Sequence, residues 1–212
     1  MEKYLIVDIN PPHAGLLSEF AGFGLTVLDG QNMTRQVLNW AGWQRFNPAK
    51  TLIVFPGNGA SIVKTYLPQD WLWGWPWRAN VHAKRHWIPG EHAQAVANRI
   101  FDGVLVGMTD VVVVDDVVSS GETARKLRQA NLPWIPAASW HLVTWVAQRA
   151  AALKGFTLSH TVCEVGTKTQ KVPINSLSTL LAEPQITTSY AQRNFYEPDK
   201  FLRLLENCRN GS

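Results

Sequence analysis

Residues 111–123 read VVVVDDVVSSGET. The first four, Val111–Val114, are β-branched and apolar on both faces of a strand, which is typical of a central strand in a parallel sheet. Two acids stand at the carboxyl end of this predicted strand, and a hydroxyl-rich loop with one glycine follows them. A helix is predicted over Glu122–Ala130. The stretch therefore predicts the strand–loop–helix unit from which α/β sheets are built.

The loop and the two acids also predict chemistry at the end of this strand. Ligands of open α/β sheets bind outside the carboxyl ends of the strands, and the N-terminus of a helix there favours a phosphate dianion. Ser119, Ser120 and Thr123 can donate hydroxyl groups to such an anion, and Gly121 lets the backbone approach it closely. Carboxylates repel phosphate, so the two acids suit a vicinal diol or a divalent cation instead. A phosphate beside a diol describes a ribose 5-phosphate.

The surrounding sequence extends the same architecture. Residues 51 to about 146 alternate apolar runs with helical patterns, which predicts a parallel sheet of βαβ units. Besides the valine strand, we predict strands at Thr51–Phe55 and Ser139–Trp145 and helices at Ser61–Leu67 and Glu91–Phe101. A short strand at Tyr4–Ile9 comes before this region, and a last helix at Pro198–Asn207 follows it.

Composition bounds the class of protein. Hydrophobic residues make up 46% of the 212 positions, which excludes a disordered chain. The formal charge of +4 is too small to require nucleic acid, and we do not expect a nucleic-acid partner. Neither Cys163 nor Cys208 belongs to a CxxC pair, so we expect neither a zinc ribbon nor a disulfide scaffold. No apolar run approaches the roughly 20 residues of a membrane helix, and none at the N-terminus resembles a signal peptide, so we expect a cytoplasmic protein without a membrane partner.

The stretch from Val111 to Thr123 resembles the 5-phosphoribosyl-1-pyrophosphate (PRPP) signature of the type I phosphoribosyltransferases. That signature is a hydrophobic strand, two acids, two hydrophobic residues and a loop of small residue, Ser or Thr, Gly, any residue and Thr. About thirteen residues match it, with no departure at the key positions. A valine strand that ends in a solvated Asp-Asp turn would account for the serine cap, but not for the paired acids at this spacing.

The resemblance implies a fold and a division of the chain. The fold is α/β, with a central parallel twisted sheet flanked by helices and a small hood subdomain built from the chain ends. A single domain would span residues 1–212, with a core of about 46–154 and a hood from about 1–45 and 155–212. The hood selects the acceptor in this family.

The resemblance also assigns roles at the signature. Asp115 and Asp116 would be catalytic and would hold the ribose hydroxyls. Mg²⁺ would be bound mainly by PRPP oxygens, near these two acids. The 5′-phosphate would be bound by the loop residues Ser119, Ser120, Gly121, Glu122 and Thr123.

A second glycine-containing stretch follows the first predicted core strand. In the family, this place binds pyrophosphate through backbone N–H groups, and here it is occupied by Gly57, Asn58 and Gly59. The stretch also resembles a nucleotide-binding P-loop. That alternative fails because, with Lys64-Thr65 as the final pair, the two required glycines would fall at Asn58 and Val63.

A basic stretch runs from Arg78 to Arg99, with four Lys or Arg and three His against one acid. The resemblance implies a mobile loop here, in which Lys84 and Arg85 are catalytic cations that act on the leaving pyrophosphate. A solvated basic face is the plain alternative. His82 and His86 are spaced for a metal pair, but no third ligand follows at the spacing of zinc proteases.

The implied function is a pentosyl transfer of nucleotide metabolism. A ring nitrogen of a nucleobase or related aromatic acceptor would displace pyrophosphate from C1 of PRPP. The nearest resemblance is to orotate-type members, because Pro173–Leu181 and Tyr196–Leu205 are similar to their C-terminal region. Ser119 stands where hypoxanthine-guanine members carry Asp, so a 6-oxopurine acceptor is not expected.

The alternative is a regulator that keeps the fold, senses PRPP or a nucleotide, and transfers nothing. Such a protein would carry an added nucleic-acid-binding element, and no helix-turn-helix pattern is evident outside the core.

Four of the ten tryptophans fall within Trp71–Trp77, a stretch interrupted by Gly74 and Pro76. Aromatic runs of this kind usually pack on the protein's own core or on a second subunit. A stacking platform for an aromatic ligand is the alternative. Aromatic surface near the basic loop leads us to expect a homodimer.

Overall fold

The structure is a computed structural model that describes residues 2–9, 15–81, 83–86, 94–97, 107–133, 135–148, 153–166, 172 and 174–210. By compactness the chain divides into two units. Unit 1 comprises Met1–Asn32 and Val172–Ser212, and unit 2 comprises Met33–Lys171. The core of about 46–154 and the hood that the family resemblance implies are a different division, based on function rather than on compactness. That division stays a prediction.

The elements are named in chain order. They are β1 (Tyr4–Val7), α1 (Leu16–Ala21), β2 (Thr26–Asp29), α2 (Gly30–Leu38), the 3₁₀ turns Ala41–Arg45 and Pro48–Lys50, β3 (Thr51–Pro56), α3 (Gly57–Tyr66), α4 (Gln69–Trp73), β4 (Arg78–Val81), β5 (Ala83–His86), β6 (Gln94–Ala97), β7 (Asp110–Val118), α5 (Glu122–Asn131), β8 (Ser139–Ala147), β9 (Leu158–Glu164), β10 (Ile174–Ser176), α6 (Leu177–Ala182), α7 (Pro184–Asn194) and α8 (Pro198–Asn210).

Unit 2 is built on a five-stranded sheet in the order β4-β3-β7-β8-β9. Every neighbouring pair in it is parallel, so the predicted parallel α/β sheet is confirmed. After β3 the chain forms β4 on one side of it, and it later adds β7 on the other side. The direction of winding therefore reverses between β3 and β7. In open α/β sheets, such a switch point is where ligands bind, outside the carboxyl ends of the strands.

Helices cover both faces of this sheet. Val111 and Val113 of β7 share a buried cluster with Ala124 and Leu127 of α5. On the opposite face, the ring of Tyr66 at the end of α3 packs against Trp145 of β8, with centroids 5.6 Å apart. Because side chains alternate along a strand, Val111, Val113 and Asp115 face α5, and Val112, Val114 and Asp116 face the α3 side. At the end of the strand, Val118 belongs to the α5 cluster.

Two predictions of local structure are wrong. The helix predicted over Glu91–Phe101 is a strand at Gln94–Ala97, which pairs antiparallel with β5, and the remaining residues of that range lie outside the described part of the chain. Cross-strand pairing overrides the helix propensity of its alanines. The stretch predicted as a loop from Arg78 to His86 contains β4 and β5 instead.

The tryptophan-rich stretch is partly helical, because α4 runs to Trp73. Trp71 and Trp75 pack around Trp43 of the same unit, with ring centroids 5.1 and 5.5 Å from it. Trp73 and Trp77 are 70% and 38% exposed. The stretch therefore contributes both to its own core and to the surface.

Unit 1 contains a parallel three-stranded sheet in the order β10-β1-β2. The core beside it is aromatic. The rings of Phe20, Phe23 and Phe195 surround Phe201, with centroids 4.3–5.9 Å from it. Among the helices that the structure describes, none is long and apolar enough to cross a membrane.

The buried carboxylate of Asp8 joins two distant parts of unit 1. It accepts hydrogen bonds from the backbone N–H and the hydroxyl of Ser178, at 2.7 and 2.5 Å, where α6 begins. We expect Asp8→Ala to lower the free energy of unfolding by about 1–3 kcal/mol, because it leaves a helix-terminal donor unpaired. Urea denaturation measures this loss. Asp199→Ala, at an exposed carboxylate of α8, is the control, and an equal loss in both variants would contradict the assigned role.

Candidate functional site

The two acids of the signature lie within β7, not after it. The sequence predicted a strand that ends at Asp115, but β7 continues to Val118. Its pairing with β3 ends at Val113, whereas its pairing with β8 continues to Val118. The last part of β7 therefore stands beyond β3, beside the place where α3 begins.

Asp115 lies close to the turn that follows β7. A small pocket, partly open to solvent, is lined by Asp115, Val117, Val118, Ser119, Gly121, Glu122, Thr123 and Ala124. It brings one acid of the signature together with every predicted phosphate-binding residue except Ser120. All of these residues lie at the carboxyl end of β7, next to the switch point.

The turn is shaped by Gly121, whose φ of 71° is in the left-handed region. Glycine adopts this conformation without steric cost. The hydroxyl of Ser120 accepts the backbone N–H of Glu122 at 3.4 Å, and the guanidinium of Arg125 donates to the Ser120 carbonyl. The turn is thus fixed from both sides before α5 begins.

The side chain of Glu122 is already paired, since its carboxylate lies 3.1 Å from the ammonium of Lys126 one turn further along α5. A carboxylate has no donor for an anion. The structure therefore uses both polar groups of Glu122 locally, since its backbone N–H donates to Ser120 and Lys126 compensates its charge.

Asp116 points to the other face of β7, toward α3. Its carboxylate lies against Gly59, where a Cβ built on the glycine would be only 2.2 Å from Oδ1. Its backbone N–H donates to Oδ1 of Asp115 at 3.0 Å, and its carbonyl accepts the hydroxyl of Thr144 from β8 at 3.0 Å. The acid pair therefore presents one carboxylate on each side of the strand.

The predicted pyrophosphate stretch has a different backbone from the one expected. Gly57, Asn58 and Gly59 form the first turn of α3, which the sequence placed only from Ser61 onward. Gly57 has a φ of 75°, so the chain turns directly from β3 into the helix. The N–H groups of a first helical turn have no partner within the helix. The anion-binding groups expected from a loop can thus come from a helix N-terminus.

The structure places the backbone of Lys84 and Arg85 in β5, as part of the β5–β6 hairpin. Their side chains, and His82, lie outside the described residues. The two cations therefore stay predictions.

The residues present fit Mg²⁺ of the substrate-bound kind. In the described ranges, no group of three or more His, Cys, Asp or Glu could hold a metal. Mg²⁺ is commonly held by one or two carboxylates together with substrate phosphates and water. Asp115 and Asp116, on opposite sides of β7, each offer one such carboxylate.

Neither cysteine offers an activated thiolate. Burial raises the pKa of the Cys163 thiol, and the charge of Glu164 raises it further. Burial likewise raises the pKa of Cys208, with a further contribution from Glu19. A nucleophilic cysteine needs the opposite shift.

Comparison with known proteins gives matches of structure. No protein-family model and no curated protein matches the sequence. The chain is similar in structure to purine phosphoribosyltransferases. The xanthine-guanine-hypoxanthine phosphoribosyltransferase of Helicobacter pylori is 12% identical, with a TM-score of 0.45 over 74% of this chain and 91% of that one. A purine phosphoribosyltransferase from Pyrococcus horikoshii is 16% identical, with a TM-score of 0.44 over 66% and 90%. The adenine phosphoribosyltransferase of Thermoanaerobacter pseudethanolicus is 13% identical, with a TM-score of 0.43 over 71% and 85%.

Three residues near the site were not identified from the sequence: Arg125, Lys126 and Thr144. The spacing of four between Glu122 and Lys126 on a predicted helix was a usable signal. Thr144 carried none, because its contact with Asp116 depends on the register between β7 and β8.

Proposed function

We propose that this protein is a PRPP-dependent phosphoribosyltransferase. A ring nitrogen of a nucleobase or related aromatic acceptor would displace pyrophosphate from C1 of PRPP. The observation that supports this most is the pocket at the β7–α5 turn, where the carboxylate of Asp115 and the N-terminus of α5 lie together. The same residues carry the PRPP signature in the sequence.

Binding would use both sides of the switch point. The turn Ser119–Thr123 would hold the 5′-phosphate through hydroxyls and through backbone N–H groups at the start of α5. Asp115, in the same pocket, would accept hydroxyl groups of the ribose. The first turn of α3, at the end of β3, would hold the pyrophosphate. A phosphate bound far from the reacting carbon supplies binding energy for orientation.

The chemistry would be mainly electrostatic. As the bond to pyrophosphate breaks, positive charge develops on the ribose and negative charge on the leaving group. The carboxylates of Asp115 and Asp116 favour the first, and the N–H groups of Gly57–Gly59 favour the second. Mg²⁺, when bound with PRPP, would neutralise part of the pyrophosphate charge.

Lys84→Ala tests the cation assigned to the hairpin. We expect kcat to fall about fivefold, or about 1 kcal/mol of barrier, with little change in Tm, because the assigned role of this cation is in the reaction and not in folding. Steady-state turnover and thermal unfolding are measured on the same samples. The control is Lys50→Ala, at an exposed lysine just before β3. Equal kinetics in the two variants would remove Lys84 from the mechanism.

The protein is further proposed to be a cytoplasmic homodimer, with the exposed Trp73 and Trp77 as support for an interface. If Lys84 acts across that interface, mixing Lys84→Ala with a variant inactive at Asp115 restores activity. If no activity returns, the lysine acts within its own subunit.

The deciding experiment for the function is a pyrophosphate-release assay with PRPP, Mg²⁺ and a panel of acceptors. The panel includes orotate, adenine, 6-oxopurines and other nitrogenous aromatics. Release with one of them supports the proposal and names the acceptor class, and the sequence predicts none with 6-oxopurines. Saturable PRPP binding without release from any acceptor would instead favour a sensing regulator.

A further inference from the structure

Gly59 lies at an unusual place in α3. It is in the first turn of a ten-residue helix, where alanine is ordinarily preferred to glycine. A Cβ built there would lie 2.2 Å from Oδ1, 2.4 Å from Cγ and 2.5 Å from Oδ2 of Asp116. All three atoms belong to one carboxylate. The missing side chain therefore leaves the space that this carboxylate fills.

Gly42 would also place a Cβ too close to a side chain, 2.1 Å from the ring of Trp40, so distance alone does not set Gly59 apart. What distinguishes Gly59 is that its neighbour is a carboxylate. Gly74, which ends α4 in the right-handed helical conformation, would place a Cβ no nearer than 3.2 Å to any atom, the Trp71 carbonyl oxygen. At Gly59 the nearest atoms are those of a charged group assigned to the reaction. Thr144 holds the backbone carbonyl of Asp116, so a side chain at position 59 would be accommodated by rotation of the Asp116 side chain, which displaces its carboxylate.

We propose that Gly59 is a positioning residue for Asp116. Because Gly59 has no side chain, the Asp116 carboxylate can lie directly against the first turn of α3; we call this space the seat of the carboxylate. This contact fixes the position of the Asp116 carboxylate relative to the ribose of bound PRPP. This inference rests on the proposed function for its catalytic meaning, but the seat itself is a property of the folded chain.

A stability cycle tests the seat without any substrate. Gly59→Ala is expected to lower Tm by about 4 °C or more, because the new methyl group overlaps the carboxylate. In an Asp116→Ala background the overlap is gone, and the same change is expected to leave Tm unchanged or raise it. Gly74→Ala is the matched control, with a shift below about 2 °C that is the same in both backgrounds. An equal shift in Tm on Gly59→Ala in both backgrounds would show that the Asp116 carboxylate does not need the space at Gly59, and it would overturn the proposal.

A kinetic cycle tests the positioning role. Gly59→Ala is expected to lower kcat about fivefold while the KM for PRPP changes less than twofold, because Asp116 acts on the transition state. In the Asp116→Ala background it is expected to change kcat no further. Full additivity of the two losses would show that Gly59 acts independently of Asp116, and it would overturn the proposal. If the proposed function is wrong, the wild-type protein releases no pyrophosphate. The stability cycle would still test the contact between Gly59 and Asp116.

Discussion

Asp116→Asn is expected to lower kcat at least tenfold, or about 1.4 kcal/mol of barrier, while the fold stays intact. The amide keeps the size of the carboxylate, so its position against Gly59 is retained. What is lost is the negative charge that would stabilise a cationic ribose in the transition state. Ground-state binding of PRPP depends mainly on its phosphates, so KM is expected to change little.

The measurement is steady-state pyrophosphate release with saturating acceptor, together with thermal unfolding. Asp70→Asn, at an exposed aspartate in the first turn of α4, removes the same charge away from the site and should leave kcat unchanged. Turnover of PRPP at the wild-type rate in Asp116→Asn would remove this carboxylate from the mechanism.

Gly121→Ala is expected to raise the KM for PRPP at least tenfold. Its φ of 71° costs an alanine roughly 1–2 kcal/mol, so the turn between β7 and α5 relaxes toward another conformation. Relaxation moves the backbone N–H groups and the hydroxyls that line the pocket. A phosphate held by several such groups loses affinity when they no longer converge.

Gly24→Ala separates the loss of binding from the loss of stability. Gly24 has the same φ of 71°, is exposed in unit 1, and has nothing within 4 Å of a built Cβ. Both substitutions carry the cost of a positive φ, measured as a loss of stability in urea denaturation, and the loss at the buried Gly121 should be at least as large as at the exposed Gly24. Only Gly121→Ala should raise KM. If the two variants have the same KM, the turn is not the phosphate site.

Local sequence was sufficient for the centre of the fold. Four consecutive valines predict a buried parallel strand, and the glycine after two serines predicts where α5 begins, because both signals act over a few residues. The strand order was not readable in this way, since it depends on which strands pair. The switch point between β3 and β7 is therefore a result of the structure.

The sequence proposes the residues of the candidate site but not their arrangement. Asp115 and Asp116 were expected to act together at a strand end. The strand continues through them because Val117 and Val118 pair with β8, so the two carboxylates face opposite sides. Gly57–Gly59 were expected as a loop, since glycine disfavours helices, but the positive φ of Gly57 starts α3 at once. The contact between Gly59 and Asp116 joins two segments far apart in the chain, which a single sequence does not reveal.

The pairing of β1 with β10 has a consequence for biosynthesis. Tyr4 is hydrogen-bonded in register with Ile174, so an early strand must wait on the ribosome until its neighbour has been translated. At ordinary elongation rates this delay is roughly 10–30 s. The intervening segment, which contains the five-stranded sheet, has been translated before then. Until β10 is available, the nascent chain would carry the three-stranded sheet of unit 1 without one of its strands, and this is the stage at which chaperones would matter most.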